Sequence, residues 1–247
     1  MKEPEADFVG IDLTASNRKP TAYAGLGEDL RLCCLGFVTR DNEMIDAITR
    51  RQPRLVAIDA PLSLPQGMDC LDEDCPCQSL LPQKGRACER ELARLGSPCY
   101  FTTKKSIIKE MVYRGINLKR ELCRRDYEVI EVYPYASKVR LFGKPIPPKT
   151  RARGCAFLRE RIADLIPDLA PHISKLNHDV CDALIAAHTA YLHSRAETEA
   201  VGDPEKGLIW IPLKSFERLN RRLRGLTDCD NIRAREGSTN SGEGGII

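Results

Sequence analysis

Long apolar runs are missing from this chain of 247 residues. No stretch reaches about 18 consecutive apolar residues, which excludes a membrane-spanning helix of ordinary length. The first residues, Met1-Lys-Glu-Pro-Glu-Ala-Asp, lack the apolar core of an export signal, so a cytoplasmic location is expected. Charge of one sign is lacking too. The formal net charge is +3, too small to demand a polyanionic partner, and any electrostatic attraction has to be local. Internal repeats are absent. So are a Ser/His/Asp elbow, a Walker phosphate loop and a dinucleotide glycine motif, Gly25-Leu-Gly27 being too short for one.

Cysteine, by contrast, is plentiful. Eleven are present, an odd number that argues, without an export signal, against a disulfide framework. Five crowd into residues 70–99 as Cys70-x4-Cys75-x-Cys77-x10-Cys88-x10-Cys99. Cys70, Cys75, Cys77 and Cys88 have the number for a four-thiolate site holding structural Zn²⁺ or an iron–sulfur cluster, although the spacing departs from the usual close cysteine pairs of zinc sites. Free thiols are the alternative. Cys33, Cys34, Cys123, Cys155 and Cys181 lie in apolar patterns and read as core.

Residues 7–13, a segment within Pro20–Ala24, and Leu30–Thr39 read as three successive strands, followed by a helix from Asp41 that ends before Pro53. Leu55–Asp59 is a continuous apolar run suited to a strand buried on both faces. Residues 60–103 break the pattern with prolines and cysteines and read as an insertion, with a short helix near Arg86–Leu95. Helical spacing returns over Lys104–Arg120, then Glu128–Tyr133 is a fifth strand ended by Pro134. Helices follow near Tyr135–Phe142, Ala152–Ile166 and 178–193, and Leu208–Leu213 is a short strand after the turn at Gly202–Gly207. The expected organisation is one domain over 1–213, with a Cys-rich insertion at about 66–103, and a basic extension over 214–247. The Ser/Gly-rich tail is expected to be disordered from about residue 238.

Acids stand where an acid needs a reason. Asp12 closes Phe8-Val9-Gly10-Ile11, Asp59 closes Leu55-Val56-Ala57-Ile58, and Glu131 follows Val129-Ile130. Asp179 and Asp182 open an apolar helix, three residues apart and so on one helical face, with Val180, Leu184, Ala187 and Tyr191 expected to pack on the sheet. Ligands of α/β sheets gather outside the carboxyl ends of strands. Carboxylates converging there repel one another unless a cation joins them, and oxygen-only ligands suit Mg²⁺ or Mn²⁺. Two such ions roughly 3.5–4 Å apart clamp the attacking water and leaving oxygen of a phosphodiester. Simpler roles exist for each acid alone: Asp179 favours a helix start capped by Asn177, Asp12 suits a turn, and Glu131 suits pairing with an arginine. Three such coincidences, beside Asp182 lying deeper among apolar neighbours, are less economical than one site.

Basic clusters supply the other half of a nuclease. Lys104–Arg125 holds eight Lys/Arg against two Glu, with further clusters at Lys149, Arg151 and Arg153 and at Arg218–Arg224. Lys104, Lys105, Lys149 and Arg151 are candidates for contacts to nucleic-acid phosphates, with Lys104 or Lys105 alternatively steadying a phosphate in catalysis. Tyr100, Phe101 and Tyr113 are candidates for base stacking. His178 stands beside Asp179 and is a candidate to orient water or bind phosphate.

Gly10-Ile-Asp12, the acid after the fourth strand, and Asp179-x-x-Asp182-Ala-Leu resemble the RNase H-like superfamily, the last helix most closely the RuvC-type Holliday junction resolvases. Gly10-Ile-Asp-Leu-Thr14, Ala57-Ile-Asp-Ala-Pro-Leu62, Arg86-x-Cys-Glu89, Glu131-Val-Tyr-Pro134, His178-Asp-x-x-Asp-Ala-Leu184 and Glu205-Lys-Gly-x-Ile-Trp-Ile-Pro212 are together similar to the domain of unknown function 429 family. The resemblance spans roughly residues 7–213. It implies an α/β fold with a mixed five-stranded sheet (β-β-β-α-β-α-β-α) flanked by helices, and a predicted nuclease activity. It also implies Asp12, Asp59 and Asp182 as metal ligands, with Asp179 or Glu131 completing the set. The Cys-rich segment and the basic extension depart from it. Three functions compete: a Mg²⁺/Mn²⁺-dependent nuclease, a phosphotransfer protein of the sugar-kinase and actin type, and a non-catalytic nucleic-acid or protein adaptor. The second requires a duplicated fold and Gly-rich phosphate loops, which do not fit the sequence.

Overall fold

A computed structural model describes residues 5–218 apart from 17, 81 and 216. The elements are β1 (Phe8–Asp12), β2 (Thr21–Leu26), β3 (Leu32–Val38), α1 (Asp41–Arg51), β4 (Leu55–Asp59), α2 (Ala87–Arg94), α3 (Lys109–Cys123), β5 (Glu128–Glu131), α4 (Pro134–Phe142), α5 (Ala152–Leu165), a 3-10 helix (Pro167–Lys175), α6 (His178–Ser194), β6 (Thr198–Asp203) and β7 (Gly207–Pro212). The chain divides into two compact units, Met1–Pro212 and Leu213–Ile247. The elements all belong to the first. The expected disordered tail and most of the Arg218–Arg224 cluster lie outside the described residues.

The fold is α/β, as expected. Its mixed five-stranded sheet runs in the order β3-β2-β1-β4-β5, with β1, β2 and β3 antiparallel and β4 and β5 parallel to β1. Side chains alternate across the sheet with the period of two that a strand imposes. Val9, Ile11, Val56 and Ile58 face one side and pack with Met44 and Ile48 of α1 and Leu118 and Leu122 of α3. Phe8, Leu55, Ala57 and Ile130 face the other side, against Ala186 and Ala190 of α6. Farther along that side, Ala22, Ala24 and Leu26 of β2 meet Val180, Ala183, Leu184 and Ala187, together with Leu158 and Ile162 of α5.

Helix α6 is therefore buried nearly all round rather than along the single stripe expected. Every residue from Val180 to Ala190 is buried, as befits an apolar helix enclosed on several sides. Gly10 sets how closely it approaches. A Cβ on Gly10 would lie 2.1 Å from the Ala183 carbonyl oxygen and 2.2 Å from the Ala187 nitrogen, so the helix backbone rests directly on β1. Asn177 caps this helix, accepting the Val180 N–H at 2.9 Å.

Two elements escape sequence reading: the 3-10 helix over Pro167–Lys175, and β6 over Thr198–Asp203, which pairs antiparallel with β7 in a separate two-stranded sheet. Helix α3 starts at Lys109 rather than Lys104, and the skipped Ile107 is 79% exposed. Cys33, Cys34 and Cys155 are only partly buried and Cys123 is exposed, so of the five expected core cysteines Cys181 alone is fully buried.

Candidate metal centre

Register and alternation place the first two acids. Asp12 and Asp59 pair across the parallel strands β1 and β4, each in phase with the residues that face α6 (Phe8 and Gly10; Leu55 and Ala57). The first turns of α6 bring Asp179 and Asp182 to the same end. Asp182 is 2% exposed. Electrostatic coupling reports the cluster directly. Burial, then Asp59 and Asp182, hold the Asp12 carboxyl well above the usual range, with Asp179 adding to them and Lys149 opposing. Burial and then Asp182 push Asp59 up to about 7, against the pull of Lys149 and Lys138.

Asp182 is met by two lysines. Lys138 Nζ of α4, itself 3% exposed, lies 2.7 Å from Asp182 Oδ1, and Lys149 Nζ bonds Oδ2. Burial works against the Lys149 charge, but Asp182 and Asp12 together hold its ammonium above the usual range. Lys149 reaches the acids from the segment before α5, which packs tightly: a Cβ on Gly154 would lie 1.9 Å from the Pro148 carbonyl oxygen. Lys138 was not anticipated; its only signal is a lysine beside the small residues Ala136 and Ser137 in an otherwise apolar helix. His178 Nδ1 lies 2.7 Å from Asp179 Oδ1.

Glu131 is directed elsewhere. It pairs in register with Ile58, one residue short of Asp59, and Ile58 faces α1 and α3. Its carboxylate is bidentate with Arg86, at 2.7 and 2.5 Å, and accepts the Leu62 N–H at 2.8 Å. Arg86 Nε also donates to Glu89 at 2.8 Å, and Glu89 accepts the Thr102 N–H at 2.9 Å. Arg86, Glu89 and Glu131 are all nearly inaccessible. This paired, hydrogen-bonded network docks the insertion onto β5. A cavity of about 80 Å³ opens beside it, with Asp59, Tyr100, Ile108, Met111, Val132 and Tyr133 among its walls.

The basic candidates part ways. Lys149 belongs to the acidic cluster. Lys105 and Arg151 are exposed, whereas Lys104 Nζ donates to the Cys75 carbonyl and so braces the insertion. Tyr113 is similarly engaged, its hydroxyl taking the Leu71 N–H at 2.5 Å. Among the described residues, the His, Cys, Asp or Glu ligand atoms that lie within 4.8 Å of one another in a group of three are those of Cys70, Cys75 and Cys77. Cys88 is not with them. It is fully buried in α2, packed with Leu92, Ala136, Val201, Ile209 and Ile211, and burial pushes its thiol up to about 12. A four-thiolate set including Cys88 is thereby excluded, because the helix turns that cysteine into an apolar core.

Asp12, Asp59 and Asp182 offer only oxygen donors, although their ligand atoms do not all lie within 4.8 Å of one another in this structure, and burial, ahead of neighbouring acids, raises the carboxyls of the first two. That chemistry fits a hard divalent cation.

Among the described residues, no helix is long and apolar enough to cross a membrane. No curated protein matches the sequence. Among solved structures the chain is similar to the Thermus thermophilus RuvC structure, at 13% identity and a TM-score of 0.39, covering 76% of this chain and 95% of that one. The sequence model of the family described as "Protein of unknown function (DUF429)" matches residues 10–206, and the chain belongs to that family.

Proposed function

We propose that this protein is a Mg²⁺- or Mn²⁺-dependent nuclease that hydrolyses phosphodiester bonds of DNA or RNA. The observation that carries this reading is the pairing of Asp12 with Asp59 on one sheet face, opposite Asp182, with both strand carboxyls raised by burial first and then by neighbouring acids, Asp182 acting on both. Asp12, Asp59 and Asp182 would hold the metal, with Asp179 at the rim; a pair of such ions activates the attacking water and steadies the leaving oxygen.

The chain's own residues do the rest. Lys138 is buried and stays on Asp182, fixing its orientation. Lys149, whose side chain is 39% exposed, yields its place and meets a phosphate oxygen instead. His178 orients Asp179. Lys105 and Arg151 are free at the surface to contact phosphates, giving affinity without sequence preference. The cavity beside Asp59 and the exposed ring of Tyr100 offer a base a stacking surface.

One observation favours the adaptor reading: both oxygens of Asp182 already have lysine partners. Cleavage decides. Labelled single-stranded, duplex and branched DNA and RNA are incubated with wild type and Asp12→Asn in Mg²⁺, Mn²⁺ or chelator. Metal-dependent cutting by wild type alone supports the nuclease. Binding of nucleic acid without cutting by either protein in any metal sinks it in favour of the adaptor.

A further inference from the structure

The segment between β4 and α2 has little to hold it. It contains Pro61, Pro65, Pro76 and Pro82, and its described residues over 60–86 form neither helix nor strand. Three of its cysteines nonetheless converge. The sulfurs of Cys70, Cys75 and Cys77 all lie within 4.8 Å of one another, and those of Cys70 and Cys77 are 3.8 Å apart. Two thiolates on a tetrahedral zinc ion, each at about 2.3 Å from the metal, are separated by roughly 3.8 Å, the edge of that tetrahedron. A disulfide would need about 2.05 Å.

The turn is closed on itself, with Cys77 Sγ donating to the Cys70 carbonyl at 3.6 Å. Two side chains from outside the turn brace it: Lys104 on the Cys75 carbonyl and Tyr113 on the Leu71 N–H. Leu71, between the ligands, is fully buried and anchors the turn to the domain. All three cysteines are partly exposed, so an ion can enter.

We infer that Cys70, Cys75 and Cys77 form a three-thiolate site for a soft divalent cation, Zn²⁺ before others, with water at the fourth position. Soft sulfur donors separate this site from the hard oxygen cluster of the acids. Its effect is structural: the ion ties residues 70–77 into one unit within the insertion that carries Arg86 to Glu131. The inference stands independently of nuclease activity.

Co²⁺ titration of the reduced full-length protein tests it, because thiolate-to-cobalt charge transfer is invisible for carboxylate ligands. Wild type and Cys88→Ser are expected to take up about one equivalent with a charge-transfer band that Zn²⁺ bleaches. Cys70→Ser, Cys75→Ser and Cys77→Ser should each lose the band at the same metal concentration, with far-UV circular dichroism confirming their fold. A reduced wild type without the band overturns the proposal whatever the variants do. So does a band that survives in Cys75→Ser and Cys77→Ser, or one that Cys88→Ser removes.

Discussion

Asp12 and Asp59 occupy directly paired positions on adjacent parallel strands, both turned toward the N-terminal end of α6. Two carboxylates so placed, with Asp182 opposite, oppose each other's ionisation. Replacing one with a neutral isostere should therefore stabilise the metal-free protein while removing a ligand. Asp12→Asn is expected to gain about 1 kcal/mol near pH 8, or about 2–4 °C in Tm for a domain of this size. Thermal melts with and without Mn²⁺ check both effects, and only wild type should gain stability from the metal.

The sign of the pH dependence follows from Asp59. Its carboxyl is raised from 3.8 to about 7, so the folded state binds more protons than the unfolded state between those values. Its contribution to stability is fully present below about 4 and is lost as pH rises toward 7. Asp59→Asn should flatten that part of the metal-free stability curve. Metal has to displace the same proton, so Mn²⁺ affinity of wild type should fall about tenfold per pH unit below 7. Urea midpoints across pH and calorimetric titration measure the two.

Gly10 governs how α6 meets β1. Its missing Cβ leaves room for the Ala183 and Ala187 backbone, atoms that cannot swing aside as a side chain does. Gly10→Ala should cost about 3 kcal/mol or more, and should weaken Mn²⁺ binding by moving Asp182 away from Asp12. Urea denaturation and metal titration of the same sample separate the effects.

The two lysines on Asp182 should behave differently. Lys138 and Asp182 are both buried, so Lys138→Met leaves Asp182 Oδ1 without its partner, only the partly exposed Lys149 remaining on Oδ2, and should lose about 3 kcal/mol. Lys149 is partly exposed, and Lys149→Ala should lose less than about 1 kcal/mol. Removing this competing cation should also raise Mn²⁺ affinity several-fold. Chemical denaturation and calorimetry with both variants check the contrast.

Much of this arrangement was legible in the sequence, for identifiable reasons. Apolar runs ending in Asp12 and Asp59 read as strands because a strand buried on both faces needs continuous apolar residues, and Asn177 read as a cap because its side chain satisfies an orphan N–H. Glu131 read either as completing the metal set or as an arginine's partner, and the structure gives it Arg86; one residue of parallel register decides which face it takes, and no local pattern encodes register between strands far apart in sequence. Cys88 read as a ligand by the count of cysteines alone, whereas the apolar face of α2 decides its surroundings. Lys138 was missed because a buried lysine is recognisable only by the acid it meets in space. Gly10 carried a readable signal, since a glycine within an apolar strand marks a close backbone approach.

Anomalous diffraction from crystals soaked in Mn²⁺ tests the carboxylate centre most directly. The account predicts manganese peaks bounded by Asp12, Asp59 and Asp182, with Lys149 drawn off Asp182 and Lys138 still in contact. Absence of manganese there at saturating concentration, with Lys149 unmoved, would contradict it and leave the acids as an internal ion-pair network.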